Sequence, residues 1–430
     1  MSLSFRFAIA SDPHIALPNT VPNPNPRFHR TELSIPVFEA VRDHLAQLDI
    51  DFLLMPGDLT QDGEPENHQW LSAQLATLPY PVYVVPGNHD LPVQIGSDRA
   101  IAAGEFPSYY AKSGFGTQTQ HLPSQAKSCQ DTLPPLYYTC NVIPGVRIIG
   151  LNSVFYDQAG QQTYAGRIDD AQLQWLRQVL QQSRQATLEK ALLKTPKSQS
   201  AYRPEYSPEY IMVMVHHNVI EHLPGQSRSS LGKRYMLENA SDLLAILKEF
   251  DVGLIFTGHL HVQDIAQIPV SQISSPSHPQ GSVEDESDRP HPLTHITEIT
   301  TGSLVSYPHP YRILQGWQDE SGQHLKIETR HIQSVGECEN LQHQSRERIA
   351  ERSHPLMMRL LTDPPLRLAE AEAETLVPHL RYFWADICGG DAQFDFPYLP
   401  PAVQRYFARF SASPLIDNKV KLTVGSSIPQ

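Results

Sequence analysis

Pro86-Gly87-Asn88-His89-Asp90 decides the reading of this chain. It follows Pro81-Val82-Tyr83-Val84-Val85, a short run of β-branched and aromatic residues that predicts a buried strand. Gly87 then turns the chain, and an amide, an imidazole and a carboxylate follow in a row. In open α/β sheets ligands bind at the carboxyl ends of strands, where these three side chains fall. Four other segments repeat the pattern.

Phe5 to Ala10 predicts a first strand that ends at Ser11-Asp12-Pro13-His14. Asp12 and His14 share a side of an extended segment, because strand periodicity is two. Ile50 to Met55 predicts a second strand running into Pro56-Gly57-Asp58-Leu59-Thr60-Gln61-Asp62-Gly63. Tyr210 to Val215 is a near-continuous apolar strand, as expected of one covered on both faces, and ends at His216-His217-Asn218. Val252 to Thr257 ends at Gly258-His259-Leu260-His261.

Between them the spacing predicts helices over Ile35–Leu48, His68–Leu78, Asp169–Gln182 and Ser241–Phe250. Asp169 or Asp170 supplies an N-cap for the third. A hairpin spans Tyr137–Val142 and Val146–Leu151. Closing strands are expected over Ile296–Tyr307, Tyr311–Gln318 and His324–Ile332. Strands alternating with helices argue an α/β fold with layered sheets. Leu17–Arg30, rich in Pro and Asn, reads as a loop over the first strand end. Ile95–Pro135 reads as an irregular surface insertion, Ala186–Tyr210 as a polar one, and Ser271–Pro292 as disordered.

With 430 residues the chain exceeds what one core usually accommodates. We expect a main domain over residues 1–335, its disordered insertion near 271–292, and a C-terminal helical extension over 342–430. The formal net charge of −13, with no Lys/Arg-rich run, argues against capture of a nucleic-acid polymer or an anionic membrane. Cys129, Cys140, Cys338 and Cys388 form no CxxC pair, so neither structural zinc nor a disulfide framework is indicated. The N-terminal apolar stretch is short for a signal peptide, and no run approaches the ~20 apolar residues of a membrane span. A cytoplasmic protein is the expectation; the sequence does not speak to oligomeric state.

The strand ends together carry Asp12, His14, Asp58, Asn88, His89, His216, His259 and His261. Seven of these eight as protein ligands exceed the three or four that one zinc ion takes and suit two metals sharing a carboxylate. Imidazole mixed with hard oxygen points to Fe, Mn, Zn or Co, as two divalent or mixed-valence transition-metal ions. Such a pair grips both non-bridging oxygens of a phosphate and makes a hydroxide available at neutral pH, which is chemistry for phosphoester hydrolysis.

Asp12-Pro13-His14, Gly57-Asp58, Gly87-Asn88-His89-Asp90, His216 and Gly258-His259-Leu260-His261 resemble, in order, the five motifs of calcineurin-like metallophosphoesterases. Residues 57–64 and Gly166-Arg167-Ile168-Asp169 with Gln174-Trp175-Leu176 are most similar to the bacterial class III cyclic nucleotide phosphodiesterase branch. The resemblance covers roughly residues 5–332 and implies a four-layer α/β/β/α sandwich. It implies one metal on Asp12, His14, Asp58 and His261 and a second on Asp58, Asn88, His216 and His259. His89 would contact the phosphate or protonate the leaving oxygen. Asp90 would orient His89, or serve only as a helix N-cap. Where the branch commonly has Pro after the His pair this chain has Asn218, which lets His217 compete with His216; otherwise His217 points away or reaches substrate. The implied activity is hydrolysis of a small phosphodiester such as a cyclic nucleotide by metal-bound hydroxide. The alternatives are a phosphomonoesterase, a DNA nuclease and a non-catalytic scaffold. The stretch after Gly57-Asp58 carries Gln61 and Asp62 but no Arg, which favours a diester over a monoester dianion unless an Arg such as Arg167 arrives from elsewhere.

Overall fold

A computed structural model describes residues 3–23, 27–116, 134–194, 210–274 and 293–426. Strand alternation sets the layers. In β6 (Tyr210–Met214), Tyr210, Met212 and Met214 face one core while Ile211 and Val213 face another. β7 (Leu254–Thr257) divides the same way, Leu254 and Phe256 against Ile255. A strand apolar on both sides must be covered on both sides. These two lie inside a six-stranded sheet of order β4-β5-β6-β7-β9-β8. Its other members are β4 (Tyr138–Ile143), β5 (Val146–Gly150), β8 (Asp264–Pro269) and β9 (His295–Thr300).

The second sheet has the order β12-β11-β10-β1-β2-β3. It comprises β1 (Ser4–Ile9), β2 (Phe52–Met55), β3 (Val82–Val84), β10 (Pro310–Asp319), β11 (Gly322–His331) and β12 (Lys419–Thr423). The sheets stack face to face through aromatic side chains. The Phe7 and Phe52 rings stack at 4.9 Å within one sheet, and Phe5 meets Tyr210 edge-on at 5.0 Å across the interface. Helices Ser34–Leu45 and Pro65–Leu75 bury Val37, Val41, Leu71 and Leu75 on the outside of one sheet. Helices Asp170–Lys194 and Ala240–Glu249 bury Trp175, Leu176, Leu243 and Leu247 on the outside of the other. Asp169 caps the former, its carboxylate accepting from the Gln172 N–H at 2.7 Å. The result is an α/β/β/α sandwich.

β1, β2 and β3 are parallel, as are β5, β6, β7 and β9. The loops after β1, β2, β3, β6 and β7 therefore leave carboxyl ends of strands, and they hydrogen-bond to one another. Asp12 N–H donates to Gly57 O at 3.3 Å, His14 N–H to Asp58 O at 3.0 Å, and Gly258 N–H to His216 O at 3.2 Å.

Several expectations need revision. The insertion after residue 95 is not merely irregular surface: Phe106, Tyr110 and Phe115 are buried in the main core, and its residues 117–133 lie outside the described residues. The strand expected to reach Tyr307 stops at Thr300, where the chain turns so that Ser303 Oγ donates to Asp12 O at 2.7 Å. β8 was not anticipated. The helix beginning at Asp170 continues to Lys194, into the stretch read as a polar insertion. The remainder of that stretch, most of the segment read as disordered (275–292) and Cys129 lie outside the described residues.

The C-terminal segment is helical over Leu341–Arg352, His354–Thr362, Glu370–Leu380, Phe383–Gly389 and Pro401–Ala408, and then supplies β12, the edge strand beside β11. The helices bury Met357, Leu361, Phe383 and Phe407 together with Leu260 and Val262, the apolar residues that alternate with His259 and His261. Phe28, from the Pro-rich loop, packs into the same cluster.

Candidate metal centre

Two glycines shape the site. Gly57 has φ +95°, and a Cβ there would sit 2.5 Å from the His216 ring. A Cβ on Gly87 would lie 2.3 Å from Asp58 Oδ1. Only hydrogen fits at either point, so the turns close on the side chains they surround. Asp12, His14, Asp58, His259 and His261 also have positive φ, between 42° and 66°. L-residues rarely occupy this region, and such strain collects at functional sites.

These turns bring Asp12, His14, Asp58 and His261 together, with one ligand atom from each within 4.8 Å of the others; Asp58, His216 and His259 form a second such group. Asp58 belongs to both. Its Oδ2 is 3.7 Å from His14 Nε2 and its Oδ1 3.3 Å from His216 Nε2. His261 Nε2 lies 3.3 Å from Asp12 Oδ1 and 3.2 Å from His14 Nε2. In the second group His216 Nε2 is 3.1 Å from both Asn88 Oδ1 and His259 Nδ1.

Backbone carbonyls fix the ring tautomers. A carbonyl only accepts, so the ring nitrogen facing it carries the proton. His216 Nδ1–H donates to Pro56 O at 2.8 Å, which leaves the Nε2 lone pair facing the centre. His259 Nε2–H donates to Arg234 O at 3.2 Å, leaving Nδ1. Lone pairs held this way suit metal ligation. His14 Nδ1 is buried without a hydrogen-bond partner. The donor set therefore fits two cations sharing Asp58.

The electrostatics show how strongly Asp58 draws positive charge to the centre. Despite full burial, His216, His89 and His14 hold the Asp58 carboxyl well below its usual range. Burial opposes a charge on His216, but Asp58 outweighs it and pushes its pKa up to about 9. Burial and neighbouring imidazoles hold His14 and His259 well below the ordinary value.

His89 stands beside this centre. Its N–H donates to Asp58 Oδ1 at 2.8 Å, and its ring lies 4.8 Å edge-on from that of His14. Nδ1–H donates to Gln61 O at 2.6 Å and lies 3.4 Å from Asp62 Oδ1, so Nε2 is left for another partner. Burial disfavours the imidazolium, but Asp58 and Asp62 together keep its pKa raised.

Asp90 does not orient His89, nor does it cap a helix. Its carboxylate accepts from Gly87 N at 2.8 Å, Leu59 N at 3.1 Å, Thr60 N at 2.8 Å and Thr60 Oγ1 at 3.0 Å, so it clamps the Asp58 turn onto the Asn88 turn. Burial and Asp58 push its pKa up to about 7. His217 is only 1% exposed, with Nδ1 2.8 Å from Ser153 Oγ and its ring 4.2 Å from that of His259. It packs against the second donor group, with Nε2 buried and without a hydrogen-bond partner. Asn218 is an anchor: its Nδ2 donates to Thr257 Oγ1 and Glu298 Oε1, both at 3.1 Å.

Two residues of the Pro-rich loop were missed. His29, 5% exposed, stacks on His14 at 4.5 Å and groups with His14 and His261 as a possible metal-holding set. Arg27 donates to Asp62 Oδ1 at 3.0 Å, and its Nη1 lies 3.2 Å from His89 Nδ1. The guanidinium that could arrive from elsewhere thus comes from before the first helix. Arg167 instead lies over the Phe155 ring at 5.7 Å. The only sequence signal for either residue was the loop's predicted position over a strand end.

A family model described as calcineurin-like phosphoesterase matches residues 5–263. The chain belongs to this family. A 3',5'-cyclic-nucleotide phosphodiesterase of Nostoc sp. is 43% identical over 69 residues, which is 16% of this chain and 25% of that relative; the match thus spans a quarter of the relative's length. A dimetal phosphatase from Danio rerio is 14% identical with TM-score 0.45, covering 76% of this chain and 96% of that one. A 5'-nucleotidase precursor from Thermus thermophilus is 13% identical with TM-score 0.35, covering 83% and 59%. Among the described residues no helix is long and apolar enough to cross a membrane.

Proposed function

We propose that this phosphoesterase holds two transition-metal ions and hydrolyses a small phosphodiester, a cyclic nucleotide being the leading candidate. The observation that carries the reading is the membership of Asp58 in both donor groups. Asp12, His14, Asp58 and His261 hold one ion, with His29 within reach; Asp58, Asn88, His216 and His259 hold the other. When bound, the ions supply Lewis acidity toward the phosphate and its attacking water.

The chain's own residues do the rest. His89, its Nδ1 proton committed to Gln61 O, directs Nε2 to the phosphate and donates a proton to the leaving oxygen. Asp58 and Asp62 favour the protonated ring, and Asp62 lies within reach to orient it. Asp90 fixes the separation of the Asp58 and Asn88 turns.

Diester preference has electrostatic support. Arg27 is paired with Asp62, so its guanidinium adds no net positive charge to meet the second negative charge of a monoester dianion. The partly matched phosphodiesterase relative is in accord. A small-molecule substrate rather than a nucleic-acid polymer is in keeping with the net charge of −13. The test is the ratio of kcat/KM for bis-(p-nitrophenyl) phosphate to that for p-nitrophenyl phosphate, with Mn, Fe, Zn or Co loaded separately. A ratio above one is expected with the preferred metal. A strong monoester preference with every metal overturns the diester reading.

A further inference from the structure

Next to the second donor group, two loops build an exposed aromatic and cationic rim that the chemistry above leaves without a role. His259, through Nε2–H, donates to Arg234 O at 3.2 Å, and the Tyr235 ring lies 5.1 Å from the His259 ring. The Arg234 guanidinium sits 5.4 Å from the centroid of Tyr235 and 5.5 Å from that of Tyr164. Tyr164 belongs to the loop that touches the other side of the centre. Gln162 Nε2 donates to Asn88 O at 2.7 Å, and a Cβ on Gly166 would lie 2.5 Å from the His217 ring. The loops are tied together, Gly166 N–H donating to Met236 O at 3.0 Å and Glu238 N–H to Gly166 O at 2.8 Å.

Tyr164 is 81% exposed. A large ring so open to water has no packing reason to be there. A guanidinium on one face still leaves ring surface for a planar ligand. Arg234 ties the rim to the second donor group, its carbonyl accepting from the His259 ring while its guanidinium reaches the Tyr164 ring.

We propose that Tyr164 and Arg234 form a nucleobase platform beside the metal centre. The base stacks on the Tyr164 ring while Arg234 contacts its acceptor atoms or the sugar phosphate. The inference rests on the phosphoesterase reading for placing the phosphate at the metal centre.

The experiment is calorimetric binding to the metal-loaded protein, with adenosine 5'-monophosphate and ribose 5-phosphate as probes. Both bring a phosphate and a sugar, but only one brings a base. Wild type is expected to bind the nucleotide at least about tenfold more tightly, in line with aromatic stacking on a base. Tyr164→Ala should abolish that difference while leaving ribose 5-phosphate affinity unchanged, and Tyr164→Phe should restore it. Equal affinity for the probes in wild type, or a difference that survives in Tyr164→Ala, overturns the platform. These readouts need no turnover, so a failed diester preference is recognised separately by the kinetic ratio above.

Discussion

Asp90→Asn tests how the chain sets the spacing of the metal ligands. The carboxylate has two oxygens and accepts four hydrogen bonds, three of them from backbone N–H groups in buried turns. Asparagine is nearly isosteric but offers one acceptor oxygen and an NH2 group. If its oxygen faces Thr60, the NH2 meets the N–H groups of Gly87 and Leu59. If it is flipped, the Thr60 N–H is orphaned while the hydroxyl rotates to accept. Either way at least one buried donor is unsatisfied, costing about 1–3 kcal/mol. The strain falls on the turn carrying Asp58. Outer residues that position metal ligands are worth about 10–100-fold in metal affinity or activity. We therefore expect Asp90→Asn to fold, to bind Mn2+ about 10–100-fold more weakly in a competition titration against a chromophoric chelator, and to lose activity in parallel. Wild-type metal affinity together with wild-type kcat/KM would refute the reasoning.

His89→Ala should retain its metals and lose about 10²–10⁴ in kcat, the usual contribution of a general acid; a loss that tracks missing metal would make His89 a ligand instead. Burial holds His68 at a pKa of about 3 and His309 at about 4, so the unfolded chain takes up protons that the folded chain refuses. Their contribution is whole above about pH 6.5 and falls as the pH drops, by on the order of 2–3 kcal/mol each near pH 4.5. Urea midpoints of metal-free protein should show a shallower loss between about pH 6.5 and 4.5 in His309→Gln than in wild type, and identical slopes would contradict the assignment. A chain ending at residue 340 exposes Leu260 and Val262 and leaves β11 without β12, so it should aggregate or bind metal weakly. A soluble product with wild-type activity would show that the C-terminal segment does not brace the centre.

The layers and the seven ligand candidates were legible because both rest on local patterns. Tyr210 to Val215 announces a doubly covered strand by composition, and each ligand stands within a few residues of a strand end. What was not legible depends on distant pairing. Asp90 adjoins His89 in sequence, yet its partners are backbone amides on both sides of residue 58 and at Gly87, and no side-chain pattern reports a backbone acceptor's choice. Arg27 and His29 reach the site because Phe28 between them packs, half-buried, against the C-terminal helices, a contact across more than 300 residues. β12 is a short run of alternating Lys and apolar residues that becomes a strand by pairing with β11. The Tyr164 rim depends on the pairing of residues 166 and 237, which neither segment's composition suggests.

The central claim is that Asp58 joins two metal ions. Anomalous diffraction from Mn2+-loaded crystals tests it directly. The account predicts two peaks about 3.5–4 Å apart, one among Asp12, His14 and His261, the other among Asn88, His216 and His259, with the Asp58 carboxylate between them. A single peak at saturating Mn2+, or two peaks of which only one touches Asp58, would contradict it.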